Sequence, residues 1–205
     1  MIIAFGFVLA AAAILLIVHQ HTTEPKPPPG ALTSKSAPSS VKLKPQIVAT
    51  YTVPPTDPKY IAIPAIGISN TPILRLGLTS SGAIVVPDNI YETGWYDGSA
   101  KPGEAGAMFL YGHVSSWTTN GVFYGIKTLV AGDTVQVERG DGVVFTYKVI
   151  KSQIYSANDV NMTAALTPIV AGHPGLNLIT CTGDVIQGTN EFNERVVVFT
   201  EQVSS

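Results

Sequence analysis

Cysteine is nearly missing. The 205 residues hold a single one, Cys181, so no intrachain disulfide can form. Charge is sparse as well. Charged side chains make up 13% of the chain against 45% hydrophobic ones, a balance too apolar for a wholly soluble protein. The formal net charge is −2 and no basic stripe is visible, which argues against nucleic acid as a partner. Long helical periodicity and internal repeats are also lacking.

The apolar excess lies at the start. Residues 2–18 read IIAFGFVLAAAAILLIV, with neither charge nor proline, close to the length that crosses a bilayer as a helix. A cleaved signal peptide would need a basic start and a small-x-small site. No basic residue precedes Ile2, and no such site follows Val18. Residues 1–18 are therefore expected to be an uncleaved transmembrane anchor. The nearest cation, Lys26, follows the segment and opposes an N-in orientation. The exported character of the rest still favours N-in.

Residues 19–56 are rich in Pro, Ser, Thr and Lys and bury too little apolar surface to fold. Their PPP run favours extended segments, so this stretch is expected to be a linker. His19 and His21 fall there and read as solvated side chains, not metal ligands.

From Asp57 onward the chain reads as short strands separated by turn residues. Tyr60–Ile63, Ile84–Val86, Ala107–Tyr111, Leu176–Thr182 and Val196–Phe199 are apolar runs bounded by Gly, Pro or polar residues. Val135 and Val137 alternate with polar neighbours, as do Phe145, Tyr147 and Val149. Asp141-Gly142 between them is a hairpin signal. Brief helices are expected only near Tyr124–Leu129 and Met162–Leu166. This pattern implies an all-β closed barrel or sandwich over residues 57–205, long enough for a real core.

A lone cysteine in an exported domain is either inert and buried or a reactive thiol. In LNLITCTGD, Leu176, Leu178 and Thr180 share one strand face, while Asn177, Ile179 and Cys181 share the other. The apolar run ends at Cys181, which suggests a thiol near the strand's exit, where loops form a cleft. A thiol needs a base. His173 lies eight residues back, about 26 Å along an extended strand, in the turn-like AGHPG. His113, in FLYGHVSSW, follows an apolar strand and is the better candidate. Acyl transfer also needs positive charge where the oxyanion forms. Arg75 is placed in a loop and Arg139 before a hairpin turn. Arg195 opens the last strand, fourteen residues after Cys181; two strands joined by a loop of about twelve residues are expected to be neighbours, which lets Arg195 reach back beside the thiol.

These segments resemble the sortase family. Leu178-Ile179-Thr180-Cys181 followed by Arg195-Val-Val-Val resembles its TL-x-TC strand and the arginine that opens its last strand. Gly112-His113-Val114, PKYIAIPAIGI and PGEAGAMFLYGH also look like sortase segments. The resemblance covers about residues 57–203. TCTG, the short C-terminus and the N-terminal anchor look most like class F, with class E the nearest rival. No second apolar segment follows Val203, unlike class C. Asp57-Pro58-Lys59-Tyr60 is read as a strand entry and not as a class C lid.

The resemblance implies an eight-stranded barrel at a bacterial cell surface, single-pass in the membrane with the catalytic domain outside. It implies substrates with an L-P-x-T-G-like C-terminal sorting signal, cleaved between Thr and Gly. Cys181 would form a thioester with the Thr carbonyl, and protonated His113 would supply a proton to the leaving amine. Arg195 would stabilise the oxyanion. Thr180 would order the site and help bind substrate. A cell-wall precursor amine would then resolve the thioester. No metal or organic cofactor is implied, and no acidic cluster suggests calcium. A hydrolytic cysteine peptidase on the same site and a non-enzymatic anchored binding module stay open as alternatives. A wall-crosslinking L,D-transpeptidase does not, because its S-H-G-C pattern is absent.

Overall fold

The computed structural model describes residues 51–205 except Trp117. The anchor expected over residues 1–18 and nearly all of the expected linker lie outside the described residues. Among the described residues no helix is long and apolar enough to cross a membrane.

Eight strands follow in chain order: β1 (Pro58–Ile63), β2 (Ile68–Leu76), β3 (Thr93–Tyr96), β4 (Ala107–Gly112), β5 (Thr134–Arg139), β6 (Val144–Ser156), β7 (Gly175–Val185) and β8 (Phe192–Ser204). A four-residue helix, α1 (Met162–Ala165), precedes β7, and single 3-10 turns occupy Pro64–Ile66 and Ile126–Thr128. The strands close into a barrel in the order β1-β2-β3-β4-β7-β8-β6-β5. Closure leaves no free sheet edge. The eight-stranded closed barrel with few short helices is the architecture the sequence led us to expect.

Alternation along each strand sorts side chains between the barrel interior and its outer face. Leu176, Leu178, Val196 and Val198 point inward and join Ile61, Ile63, Trp95, Leu110 and Tyr147 in the main core. A fully buried aliphatic or aromatic side chain of this kind stabilises the fold by about 1.5–3 kcal/mol. A second, smaller cluster forms on the outside of β4 and β7. Phe109, Tyr111 and Ala165 are buried there, with Ile84, Leu166 and Ile179 packed against them.

Asn177 explains why α1 lies on that face. Its side chain is fully buried, and its Nδ2 donates to the carbonyls of Ala165 (2.8 Å) and Thr167 (3.1 Å). The Asn161 side chain caps α1 by accepting from the Ala164 amide at 3.0 Å. The connection from β6 to β7 is thus pinned over the outer face, next to the strand that carries Cys181.

Four local expectations change. Ile84–Val86 is not a strand. Ile84 makes one isolated bridge to Leu78 and otherwise covers the outer cluster. Arg75 belongs to β2, not to a loop, and its Nε donates to Asp97 at 3.2 Å. Cys181 is not at the strand's exit. β7 runs on to Val185, with a register shift against β8 between Thr182 and Val185. Gly183, at φ +80, supplies the left-handed residue that this irregularity requires. The link from β7 to β8 is the short stretch 186–191, not a loop of about twelve residues. Asp57 leads directly into β1 at Pro58, as a strand entry.

Packing against the barrel reaches back to Tyr51. Its hydroxyl donates to the Ile73 carbonyl at 2.7 Å, and its ring lies 5.8 Å from that of Tyr60. The buried carboxylate of Asp57 receives Lys101 Nζ at 2.9 Å and an Arg75 guanidinium nitrogen at 3.7 Å.

Candidate active site

The site brings together Cys181 on β7, Arg195 on β8 and His113 just past the end of β4. β7 and β8 are antiparallel, and Cys181 is the register partner of Arg195. β4 and β7 are parallel, with Tyr111 opposite Ile179. His113 follows directly on the end of β4 and lines the same cleft as Cys181. Tyr111 and Ile179 belong to the outer cluster, so Cys181 and His113, two residues further on, fall on the outer face as well. All three side chains line one cleft of about 530 Å³, walled by Ile84 and Met162.

Thr180 ties two of these strands together at the site. Its hydroxyl donates to the Gly112 carbonyl at 2.7 Å, and Thr180 is almost fully buried. The bond therefore fixes the end of β4 immediately before His113. The loop after β4 folds back to hold His113 from the other side. The Phe123 amide donates to the His113 carbonyl at 2.9 Å, and the Gly121 amide donates to Val114 at 2.9 Å. There is no room for a side chain at Gly121, whose Cβ would meet the His113 carbonyl.

The imidazole is oriented by a backbone group. His113 Nε2 lies 2.7 Å from the Pro87 carbonyl oxygen. A carbonyl can only accept, so Nε2 carries the hydrogen and Nδ1 is left free for another partner.

Cys181 is half-buried and free. Burial pushes its thiol above the ordinary cysteine range. The Arg195 guanidinium pulls the other way, and Glu191 adds a smaller upward push. Arg195 is itself held in place. One terminal nitrogen donates to the carbonyls of Phe192 (2.8 Å) and Glu194 (2.9 Å). Among the described residues it forms no ion pair, so the remaining donors of its planar fork are free to face an anion.

The other candidates lie elsewhere. His173 is exposed in the turn before β7, with Gly175–Thr180 of the strand between it and Cys181. Arg139 is gripped by Asp141 at the β5–β6 turn through two bonds of 3.0 and 2.7 Å. Among the described residues no group of three or more His, Cys, Asp or Glu could hold a metal ion. The Pro87 carbonyl, Gly121 and Glu191 were not singled out from the sequence. Their roles come from contacts between distant segments, which composition and periodicity do not reveal.

A thiol, an imidazole and a guanidinium converging on one open cleft are the parts needed for acyl transfer through a thioester. No curated protein matched the chain. The model of the sortase domain matches residues 61–203. Among solved structures, a sortase A lid mutant from Corynebacterium diphtheriae is similar, at 22% identity over 74% of this chain and 72% of that one, with a TM-score of 0.54. Sortase C-1 from Actinomyces oris is 24% identical, covers 75% of each chain and gives a TM-score of 0.54. Sortase C1 from Streptococcus agalactiae is 23% identical over 72% of this chain and 67% of its own, again at 0.54. At these identities the structures speak for the fold; the domain match, which spans most of the chain, carries the assignment. This chain belongs to the sortase family of cysteine transpeptidases.

Proposed function

We propose that this sortase cleaves an L-P-x-T-G-like C-terminal sorting signal between Thr and Gly and joins the new carboxyl end to a cell-wall amine. The observation that carries this reading is the register pairing of Cys181 with Arg195, with His113 at the end of the neighbouring strand.

The Cys181 thiolate attacks the Thr carbonyl carbon. The electron pair moves to the carbonyl oxygen, where the Arg195 fork stabilises it. Protonated His113 gives its Nδ1 proton to the departing Gly amine as the C–N bond breaks. A thioester remains on Cys181. An incoming amine attacks the thioester carbon, neutral His113 takes the surplus proton, and the thiolate leaves. Thr180 holds the Gly112 carbonyl and so places His113 against the substrate. No metal or organic cofactor enters any step.

Residues 1–18 serve as the membrane anchor and the Pro-rich stretch that follows, up to Tyr51 where packing on the barrel begins, carries the domain clear of the bilayer, which puts catalysis on the outer cell surface. The TCTG sequence after the nucleophile favours a class F relationship within the family.

The test is product analysis on the purified full chain with a small library of sorting peptides, with and without an amine acceptor. Ligated peptide in the presence of the amine supports the proposal. Hydrolysis alone, at every amine concentration, makes the protein a peptidase on the same site.

A further inference from the structure

Glu191 is the last residue before β8 and stands on a short, braced loop. The Ile186 amide donates to the Glu191 carbonyl at 2.8 Å, and the Thr189 amide donates to Ile186 at 3.0 Å. The Thr189 hydroxyl accepts from the Glu191 amide at 3.1 Å and donates to the Ile186 carbonyl at 2.9 Å. Glu191 lines the same cleft as Cys181 and Arg195. Among the described residues it takes part in no ion pair. Its backbone is braced while its side chain is exposed, so it is an unneutralised negative charge on the rim of the cleft, of opposite sign to Arg195.

The cleft also has a second arm. A hollow of about 300 Å³ is lined by Ser115, Ser116, Val185, Asn190 and Phe192. Ser115, Asn190 and Phe192 belong to both hollows, so the two meet at the β7–β8 loop. The main arm has apolar walls at Ile84 and Met162, suited to an apolar sorting peptide. The second arm leaves the thioester open to another molecule.

We infer that Glu191 forms the acceptor subsite: its carboxylate draws the protonated primary amine of the incoming nucleophile toward the Cys181 thioester. This rests on the thioester reading above. The ammonium first loses one proton to water. The free amine then bonds to the thioester carbon, and the carbonyl electron pair moves to the oxygen facing Arg195. The nitrogen is now positive and the oxygen negative. Arg195 carries the charge that matches the oxygen. His113 takes the proton from nitrogen, the oxygen pair returns, the C–S bond breaks and the thiolate leaves. The ligand class is a cationic primary amine on a slim, polar chain.

The experiment measures partition of the acyl-enzyme between amide product and free acid in the full chain, since this ratio does not depend on how fast the thioester forms. Two acceptors are compared: triglycine, whose amine is largely protonated near neutral pH, and hydroxylamine, which is uncharged there. For Glu191→Gln, partition toward triglycine should fall about fivefold, the scale of one carboxylate–ammonium contact near a protein surface. Glu191→Lys should lower it further, and partition toward hydroxylamine should stay at the wild-type value in both. Unchanged triglycine partition in Glu191→Gln overturns the inference. An equal loss with both acceptors overturns it too, since that marks a disturbed loop rather than a lost charge. Absence of any thioester in the wild type would remove the underlying reading and this inference with it.

Discussion

Cys181 and Arg195 face each other across the β7–β8 pairing, and that single register contact places a cation beside the thiol. Arg195 is locked to the carbonyls of Phe192 and Glu194, so its position does not depend on a bound substrate. Preorganised charge of this kind is worth more than charge recruited during the reaction.

Arg195→Lys keeps the charge but loses the planar fork. Turnover should fall by about 10²–10³, the usual effect of removing one oxyanion donor. Steady-state transpeptidation shows whether the loss sits in kcat, as expected for a transition-state contact, or in KM. Thermal melts of Arg195→Lys and Arg195→Ala should match wild type. Near-wild-type turnover in Arg195→Ala would make it a surface residue only.

Thr180→Val keeps the shape and removes the 2.7 Å bond to the Gly112 carbonyl. Stability should drop by about 1 kcal/mol, the net worth of such a bond. Activity should fall more than stability does, because misplacing a catalytic group by an ångström can cost about a hundredfold. Rates measured well below the melting temperature separate the two effects. Activity that merely tracks the folded fraction would reduce Thr180 to a structural role.

Gly121→Ala tests the brace on the other side of His113. The added methyl would collide with the His113 carbonyl, so the loop or the histidine must move. We expect a well-folded protein with strongly reduced transpeptidation. His173→Ala should be silent, because His173 lies before β7 and away from the cleft. A Gly121→Ala enzyme as active as wild type would show that His113 need not be held there.

Much of this arrangement was legible in the sequence. The apolar runs of β1, β4, β7 and β8 and the Asp141-Gly142 hairpin appear where their patterns place them. So do the opposite faces of Leu178 and Ile179. β2 was not legible because Asn70, at φ +48, and Pro72 interrupt its alternation. β3 has four residues and contains Gly94, so its pairing to β2 and β4 and not local propensity makes it a strand. Ile84–Val86 misled for the opposite reason: Ile84 is apolar because it covers the outer cluster, without joining the sheet. At the site, residue types marked Cys181, His113 and Arg195. The Pro87 carbonyl that selects the imidazole tautomer carries no side-chain signal, because only the fold brings it to His113.

The thiol's titration follows from its surroundings. Burial raises its pKa, Arg195 opposes the rise and Glu191 reinforces it. Alkylation by iodoacetamide requires the thiolate, so its rate should climb with pH through a midpoint above that of free cysteine. Arg195→Ala removes the opposing cation and should move the midpoint further up, while Glu191→Gln should move it down. A midpoint below that of free cysteine in the wild type would contradict the burial argument.

The central claim is that Cys181 carries the acyl group. Intact-mass spectrometry of the full chain mixed with sorting peptides and no amine acceptor tests it most directly. The account predicts an adduct equal to the peptide acyl portion, mapped to Cys181 and released by hydroxylamine. The adduct should be absent in Cys181→Ala and greatly reduced in His113→Ala. Product formation by a clean Cys181→Ala preparation, or an acyl group found on any other residue, would contradict it.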